Sequence, residues 1–138
     1  MTIIPITIDH YDSLISLWKR IEGLGLSSAD ERPAMRTYLE RNTGLSLSAW
    51  EDDRLIGTIL CGHDGRRGYI YHLAVDQDYR RKGIGKLLVD RALSALENLG
   101  IQKCHLFMFE NNEIGRQFWK DAGWTERTDL TIFSRDIG

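Results

Sequence analysis

The stretch Tyr69-Ile70-Tyr71-His72-Leu73-Ala74-Val75-Asp76-Gln77-Asp78-Tyr79-Arg80-Arg81-Lys82-Gly83-Ile84-Gly85-Lys86-Leu87-Leu88 decides the reading of the chain. Tyr69 to Val75 is rich in β-branched and aromatic residues, which favour a pleated, buried surface. Asp76 and Asp78 end that run. Beyond the glycines, Ile84, Leu88, Ala92, Ala95, Leu96 and Leu99 recur at helical spacing and define one apolar face. The glycines therefore sit where a strand hands over to a helix. The first N–H groups of a helix have no intrahelical partner, and the helix dipole adds partial positive charge beside them. A phosphate anion fits such a junction. Gly83 and Gly85 lack a Cβ that would keep the anion off the backbone, and Arg80, Arg81 and Lys82 add cationic charge.

Two other phosphate motifs are excluded. The pattern G-x-x-x-x-G-K-[ST] needs Gly at position 80 and Ser or Thr at position 87, where the chain has Arg80 and Leu87. The pattern G-x-G-x-x-G fails at Leu88. A helix preceded by a solvated basic turn also satisfies the spacing alone. With its context, the stretch resembles motif A, [RQ]-x-x-G-x-[GA], of the GNAT superfamily of acyl-CoA-dependent N-acyltransferases. Here it is Arg80-Arg81-Lys82-Gly83-Ile84-Gly85, with Leu73-Ala74-Val75-Asp76 upstream. Downstream, Asn112-Glu113-Ile114-Gly115-Arg116-Gln117-Phe118-Trp119-Lys120-Asp121-Ala122-Gly123-Trp124 resembles GNAT motif B, N-x-x-A-x-x-[FL]-Y-x-x-x-G-[FW]. The Gly57–Gly68 segment looks like the YpeA-like branch of small bacterial acetyltransferases.

Upstream of the deciding stretch, Ile3 to Ile8 alternates around Pro5, which marks an edge strand. Asp9 reads as the N-cap of a helix carrying Leu14, Leu17, Trp18 and Ile21. Ser28 or Asp30 can cap a second helix with Met35, Tyr38 and Leu39 on its apolar stripe and Pro33 in its first turn. The charged residues of this segment, Asp30, Glu31, Arg32, Arg36, Glu40 and Arg41, read as a solvated face. Strands over Leu45–Trp50 and Leu55–Cys61 flank the turn Glu51-Asp52-Asp53-Arg54, and Asp64-Gly65 reverses the chain into Tyr69. Downstream, Gly100 ends the helix and Ile101 to Phe109 reads as a fifth strand, parallel to the fourth because a helix separates them. Asn112 to Ala122 reads as a helix with Ile114, Phe118 and Trp119 on its apolar side. Trp124 to Ile137 reads as a last hairpin, with Leu130, Ile132 and Ser134 alternating against Thr131, Phe133 and Arg135.

These elements make an α+β, or mixed-sheet α/β, domain over residues 1–138. Its sheet is mixed and mostly antiparallel, flanked by about four helices, with a parallel pair of strands four and five that the GNAT resemblance splays apart. The length suits one domain with one core. A net charge of −2 speaks against a dedicated nucleic-acid binder. Met1 to His10 lacks the basic n-region of a signal peptide, and no apolar run approaches the ~20 residues of a membrane span. Cys61 and Cys104 match neither a zinc spacing nor a disulfide framework. They read as reduced thiols of a cytoplasmic protein without a metal.

The resemblance implies acetyl-CoA as donor and a primary amine of a small molecule or protein as acceptor. It implies that the pyrophosphate sits on the N–H groups around Arg81 to Lys86, with Arg80, Arg81, Lys82, Gly83, Ile84, Gly85 and Lys86 contributing. The backbone of Leu73, Ala74 and Val75 would pair with the pantetheine amides, a bulge nearby would aim the Leu73 N–H at the thioester carbonyl, and Asn112 would contact the pantetheine arm. The motif-B Tyr is replaced by Trp119, whose indole donates a hydrogen bond but delivers no proton at neutral pH. Trp119 is then expected to pack near the CoA thiol while solvent, or Tyr71 or Tyr79, supplies the proton. Tyr79 reads more simply as a packing residue. The Glu that many relatives carry on the fifth strand is replaced by Phe107. His72 is the first candidate base, beside the expected bulge and with a suitable intrinsic pKa; His105, Glu110 and a water chain are the others. A hydrogen-bonded strand histidine is the bland alternative for His72, and a non-catalytic acyl-CoA-binding module is the alternative for the chain. The family often dimerises, which points to the last strand or Trp124 as a homodimer contact.

Overall fold

A computed structural model describes residues 1–138. Five strands form one sheet in sequence order: β1 (Thr2–Pro5), β2 (Leu47–Glu51), β3 (Arg54–His63), β4 (Gly68–Val75) and β5 (Cys104–Leu106). The first four are antiparallel, and β4 and β5 are parallel. The helices are α1 (Tyr11–Arg20), α2 (Arg32–Arg41), α3 (Ile84–Asn98) and α4 (Glu113–Asp121). The chain divides into two compact units, Met1–Phe107 and Met108–Gly138. The first holds the sheet with α1, α2 and α3, and the second holds α4.

One sheet face packs on α1 and α2 through Leu14, Leu17, Trp18, Met35 and Leu39 against Leu55, Leu60 and Ala74. The other face carries α3, whose Ile84, Leu88, Val89, Ala92 and Leu96 are buried. This helix lies close to the strands because two facing positions lack a side chain. A Cβ on Gly57 would stand 3.3 Å from Ile84 and Leu88, and one on Gly68 would stand 2.6 Å from Leu96. The turn into β4 uses Asp64 as its brace: its Oδ1 accepts from the N–H groups of Arg66 and Arg67, and Gly65 takes φ +90°.

Several boundaries depart from the sequence reading. The first strand stops at Pro5, and Asp9 lies inside a 3-10 turn, Ile8–His10, rather than capping a helix. The cap before α2 is Ser27, whose hydroxyl accepts from the Ala29 N–H at the head of a 3-10 turn, Ser28–Asp30; neither Ser28 nor Asp30 caps α2 itself. Asp30 is buried, not part of a solvated face. The fifth strand contracts to Cys104–Leu106. Leu99 and Ile114 are exposed, Leu99 because it is the C-cap of α3. The expected hairpin over Trp124–Ile137 does not form, and Leu130, Ile132 and Phe133 are exposed. Alternation marks what a strand would bury, but these residues have no ladder partner and no face to cover. No helix is long and apolar enough to cross a membrane.

Candidate functional site

The site is built on β4 and the turn that follows it. On one side β4 pairs with β3 along its length, from Gly68 to Val75. On the other, pairing with β5 ends at Ile70 opposite Leu106. From Tyr71 to Val75 the backbone edge on the β5 side is therefore open, which is the splay expected of strands four and five. Leu73, Ala74 and Val75 all lie on this open length.

A bulge interrupts β4 here. Thr58 pairs with Ala74 and Leu60 with Tyr71, so Ile59 faces two residues, His72 and Leu73. A bulge leaves the extra residue outside the ladder, and His72 takes φ +47°, a left-handed conformation that costs a non-glycine residue energy and recurs at functional sites. The surrounding fold enforces it. The Thr58 hydroxyl donates to the His72 carbonyl at 3.0 Å and accepts from the Trp18 indole N–H at 2.9 Å. The imidazole meets the Trp18 ring edge-on, with centroids 4.6 Å apart. Its Nε2 lies 2.7 Å from Asp30 Oδ1. Asp30 is held in turn: its Oδ2 accepts the Ser27 N–H at 2.9 Å, and its carbonyl accepts the Tyr11 hydroxyl at 2.7 Å.

Beside the bulge runs a chain of aromatic contacts. Tyr71 meets Tyr38 and Phe107, and Tyr69 meets Phe107 and His105, with centroid separations between 5.7 and 6.4 Å. Burial holds the Tyr71 phenol above its ordinary pKa, with Tyr69 adding to the effect, so it stays protonated at neutral pH. His105 is thus engaged with Tyr69 rather than with His72.

After β4, Asp76 caps a short turn by accepting the Asp78 N–H, and Arg54 and Arg20 pair with it. Burial pushes the Asp76 carboxyl up, but the Asp78 N–H and the two guanidiniums outweigh burial and hold it below the usual carboxylate range. Tyr79 lies under the cations of Arg54 and Lys82, a packing role. Arg80 Nε donates to the Val75 carbonyl. Arg81 and Gly83 both have positive φ, +64° and +77°, and Gly83 is the N-cap of α3. The first helical bond is Leu87 N–H to the Gly83 carbonyl, which leaves the N–H groups of Gly83, Ile84, Gly85 and Lys86 without acceptors. A Cβ on Gly83 would meet no atom within 4 Å, so the space on the side-chain side of Gly83 is open. Arg81 and Lys82 have no carboxylate partner, whereas Lys86 pairs with Asp90.

In the second unit, Asn112 caps α4, its Oδ1 accepting the Gly115 N–H. Trp119 packs edge-on against Phe118 and Trp124, both with centroids 5.0 Å away. The Glu110 carbonyl accepts from Arg116. No group of three or more His, Cys, Asp or Glu side chains gathers to hold a metal.

The structure thus brings His72 and Leu73 together at the bulge, with Tyr71 adjoining, and gathers Arg81 to Lys86 at the turn. The residue that sequence reasoning missed is Asp30. Ser27-x-x-Asp30 has the spacing of a capping box, which signals a turn but not that the carboxylate meets a strand histidine.

The sequence matches the acetyltransferase (GNAT) family over residues 11–124. It is 32% identical over 105 residues to an acetyltransferase of Pectobacterium atrosepticum, covering 76% of this chain and 74% of the relative. The fold is similar to that of the PaiA N-acetyltransferase of Thermoplasma acidophilum solved with coenzyme A, with TM-score 0.76, 21% identity, and coverage of 87% of this chain and 86% of the other. It is also similar to the aminoglycoside 6'-N-acetyltransferase AAC(6')-Ig of Acinetobacter haemolyticus, with TM-score 0.79, 19% identity and full coverage of both chains.

Proposed function

The chain belongs to the acetyltransferase (GNAT) family, and from that premise we propose that it transfers the acetyl group of acetyl-CoA to a primary amine by direct attack within a ternary complex. The observation that carries this reading is one strand, β4, with an open edge and a bulge at His72, running into a turn with four unpaired N–H groups. The similar PaiA structure was solved with coenzyme A, and the residues of this turn fit a diphosphate. The N–H groups of Gly83–Lys86 are unpaired, the space at Gly83 is open, and the cations of Arg81 and Lys82 have no carboxylate partner and can neutralise the anion.

Each part has a task in acyl transfer. The open edge at Leu73–Val75 offers backbone groups to an amide-bearing pantetheine arm. The Leu73 N–H, beside the bulge, stabilises the oxyanion that develops on the thioester carbonyl. His72 takes a proton from the attacking amine. Tyr71 stays a phenol and serves as a donor rather than a base. Asn112 and Trp119 match family positions that contact the pantetheine arm and lie near the thiol. Because the indole of Trp119 supplies no proton, the leaving thiolate, of unperturbed pKa ~8.5, takes one from solvent. Holding amine and thioester together supplies much of the remaining acceleration.

The test is release of free CoA thiol from acetyl-CoA in the presence of a panel of small primary amines and lysine-containing peptides. Release that depends on the amine, with an N-acetylated product by mass, is expected. Folded protein that releases thiol no faster with any amine than without one contradicts the reading.

A further inference from the structure

The buried carboxylate of Asp30 has no task in the reading above. A carboxylate removed from water is costly unless it is paired and hydrogen-bonded. This one is fixed from both sides, by the Ser27 N–H on Oδ2 and by the imidazole on Oδ1. An ionised carboxylate only accepts hydrogen bonds. The proton of a neutral His72 must therefore sit on Nε2, and its lone pair on Nδ1. Nδ1 has no hydrogen-bond partner in the protein. Tyr38 Oη is the one buried side-chain polar atom without a partner, so Nδ1, which also lacks one, reaches the surface. The ring cannot easily turn over to exchange its nitrogens, because Trp18 packs on it edge-on and Thr58 pins the His72 carbonyl.

We propose that Asp30 is the positioning residue of an Asp30–His72 dyad, fixing the tautomer in which Nδ1 is the proton acceptor for the substrate amine. This rests on the reading of His72 as base. The groups that face the imidazole are Asp30 from the turn before α2, Trp18 from α1 and Thr58 from β3; Tyr11 reaches only the Asp30 carbonyl. A protonated primary amine gives one proton to His72 Nδ1, and the resulting imidazolium stays paired with Asp30. The nitrogen lone pair then attacks the acetyl carbonyl carbon. The C–N bond forms, the C–S bond breaks, and its electron pair leaves on sulfur. The second amine proton and the one on His72 pass to solvent, which returns one to the thiolate.

Asp30→Asn separates positioning from packing. The Ser27 N–H needs an acceptor and claims the single amide oxygen, which turns the amide NH2 toward Nε2. That arrangement demands the lone pair on Nε2 and moves the proton to Nδ1. Nitrogen-15 NMR of the imidazole should find the wild-type proton on Nε2 and the Asp30→Asn proton on Nδ1. Amine-dependent kcat should fall about 100-fold, the scale of a lost general base, with KM for acetyl-CoA unchanged, and Asp30→Glu should recover part of the loss. A wild-type proton on Nδ1 overturns the proposal, as does an Asp30→Asn protein that turns over like the wild type. Should the variant fail to fold, the wild-type tautomer decides. If the wild type acetylates no amine, the proposed activity fails, while the tautomer still reports on the dyad.

Discussion

The bulge in β4 and the turn from β4 into α3 belong to one continuous stretch, yet they hold their polar groups ready in opposite ways. In the turn, the unpaired donors and the cations come from neighbouring residues. Arg81 and Gly83 turn left-handed, the first N–H groups of α3 are left over, and the cations of Arg81 and Lys82 have no carboxylate partner. In the bulge, each support is distant in sequence. Asp30 precedes α2, Trp18 lies in α1, and Thr58 crosses from β3. A turn that binds an anion needs only backbone geometry and charge, so local sequence suffices. The proposed proton acceptor, His72, has its orientation set by groups from three other elements. Binding and turnover should therefore be separable by mutation.

The largest expected effect breaks the bulge alone. His72→Ala should lower amine-dependent kcat at neutral pH about 100-fold or more while acetyl-CoA affinity is unchanged. An equal loss in both would merge the two regions into one function, and unchanged kcat would remove His72 from the chemistry. The converse variant is Gly83→Val. An L side chain at φ +77° costs roughly 1–2 kcal/mol, and its Cβ enters the space before the N–H groups. KM for acetyl-CoA should rise about tenfold or more, with kcat at saturation preserved.

A smaller effect sharpens how the bulge is held. Thr58→Val keeps the side-chain shape but leaves the Trp18 indole N–H and the His72 carbonyl without partners. Denaturant unfolding should show a loss of about 1–3 kcal/mol; undiminished stability would mean that this relay does not hold the strand. The smallest effect lies between the two regions, at Asp76. Its carboxyl is depressed in the folded state, so it stabilises the fold above the unfolded value of about 3.9 and loses that contribution as pH falls through the lower folded value. Thermal unfolding from neutral pH to about pH 2 should show Asp76→Asn less stable at neutrality and converging with the wild type in acid. A gap that persists in acid would assign the role of Asp76 to packing instead.

The same contrast explains what the sequence made legible. The geometry of the β4–α3 turn was readable because Arg80 to Lys86 carry it themselves. The parallel β4–β5 pair followed from a helix between two apolar runs. The partner of His72 was not readable. Asp30 stands 42 residues upstream among other charged residues, and nothing local separates a buried carboxylate from a solvated one. The C-terminal alternation failed for a related reason. Leu130, Ile132 and Ser134 have the period of a strand, but a strand exists only where a neighbouring edge accepts its hydrogen bonds. Likewise Ile114 has the position of a buried helix residue, yet it is exposed.

The most direct test is a calorimetric titration of acetyl-CoA into the folded wild-type protein, repeated with Gly83→Val and His72→Ala. The account predicts saturable binding near one equivalent, weakened by Gly83→Val and unaffected by His72→Ala. Folded wild-type protein that takes up no acetyl-CoA, or binding that Gly83→Val leaves intact, would contradict the assignment of the β4–α3 turn as the donor site.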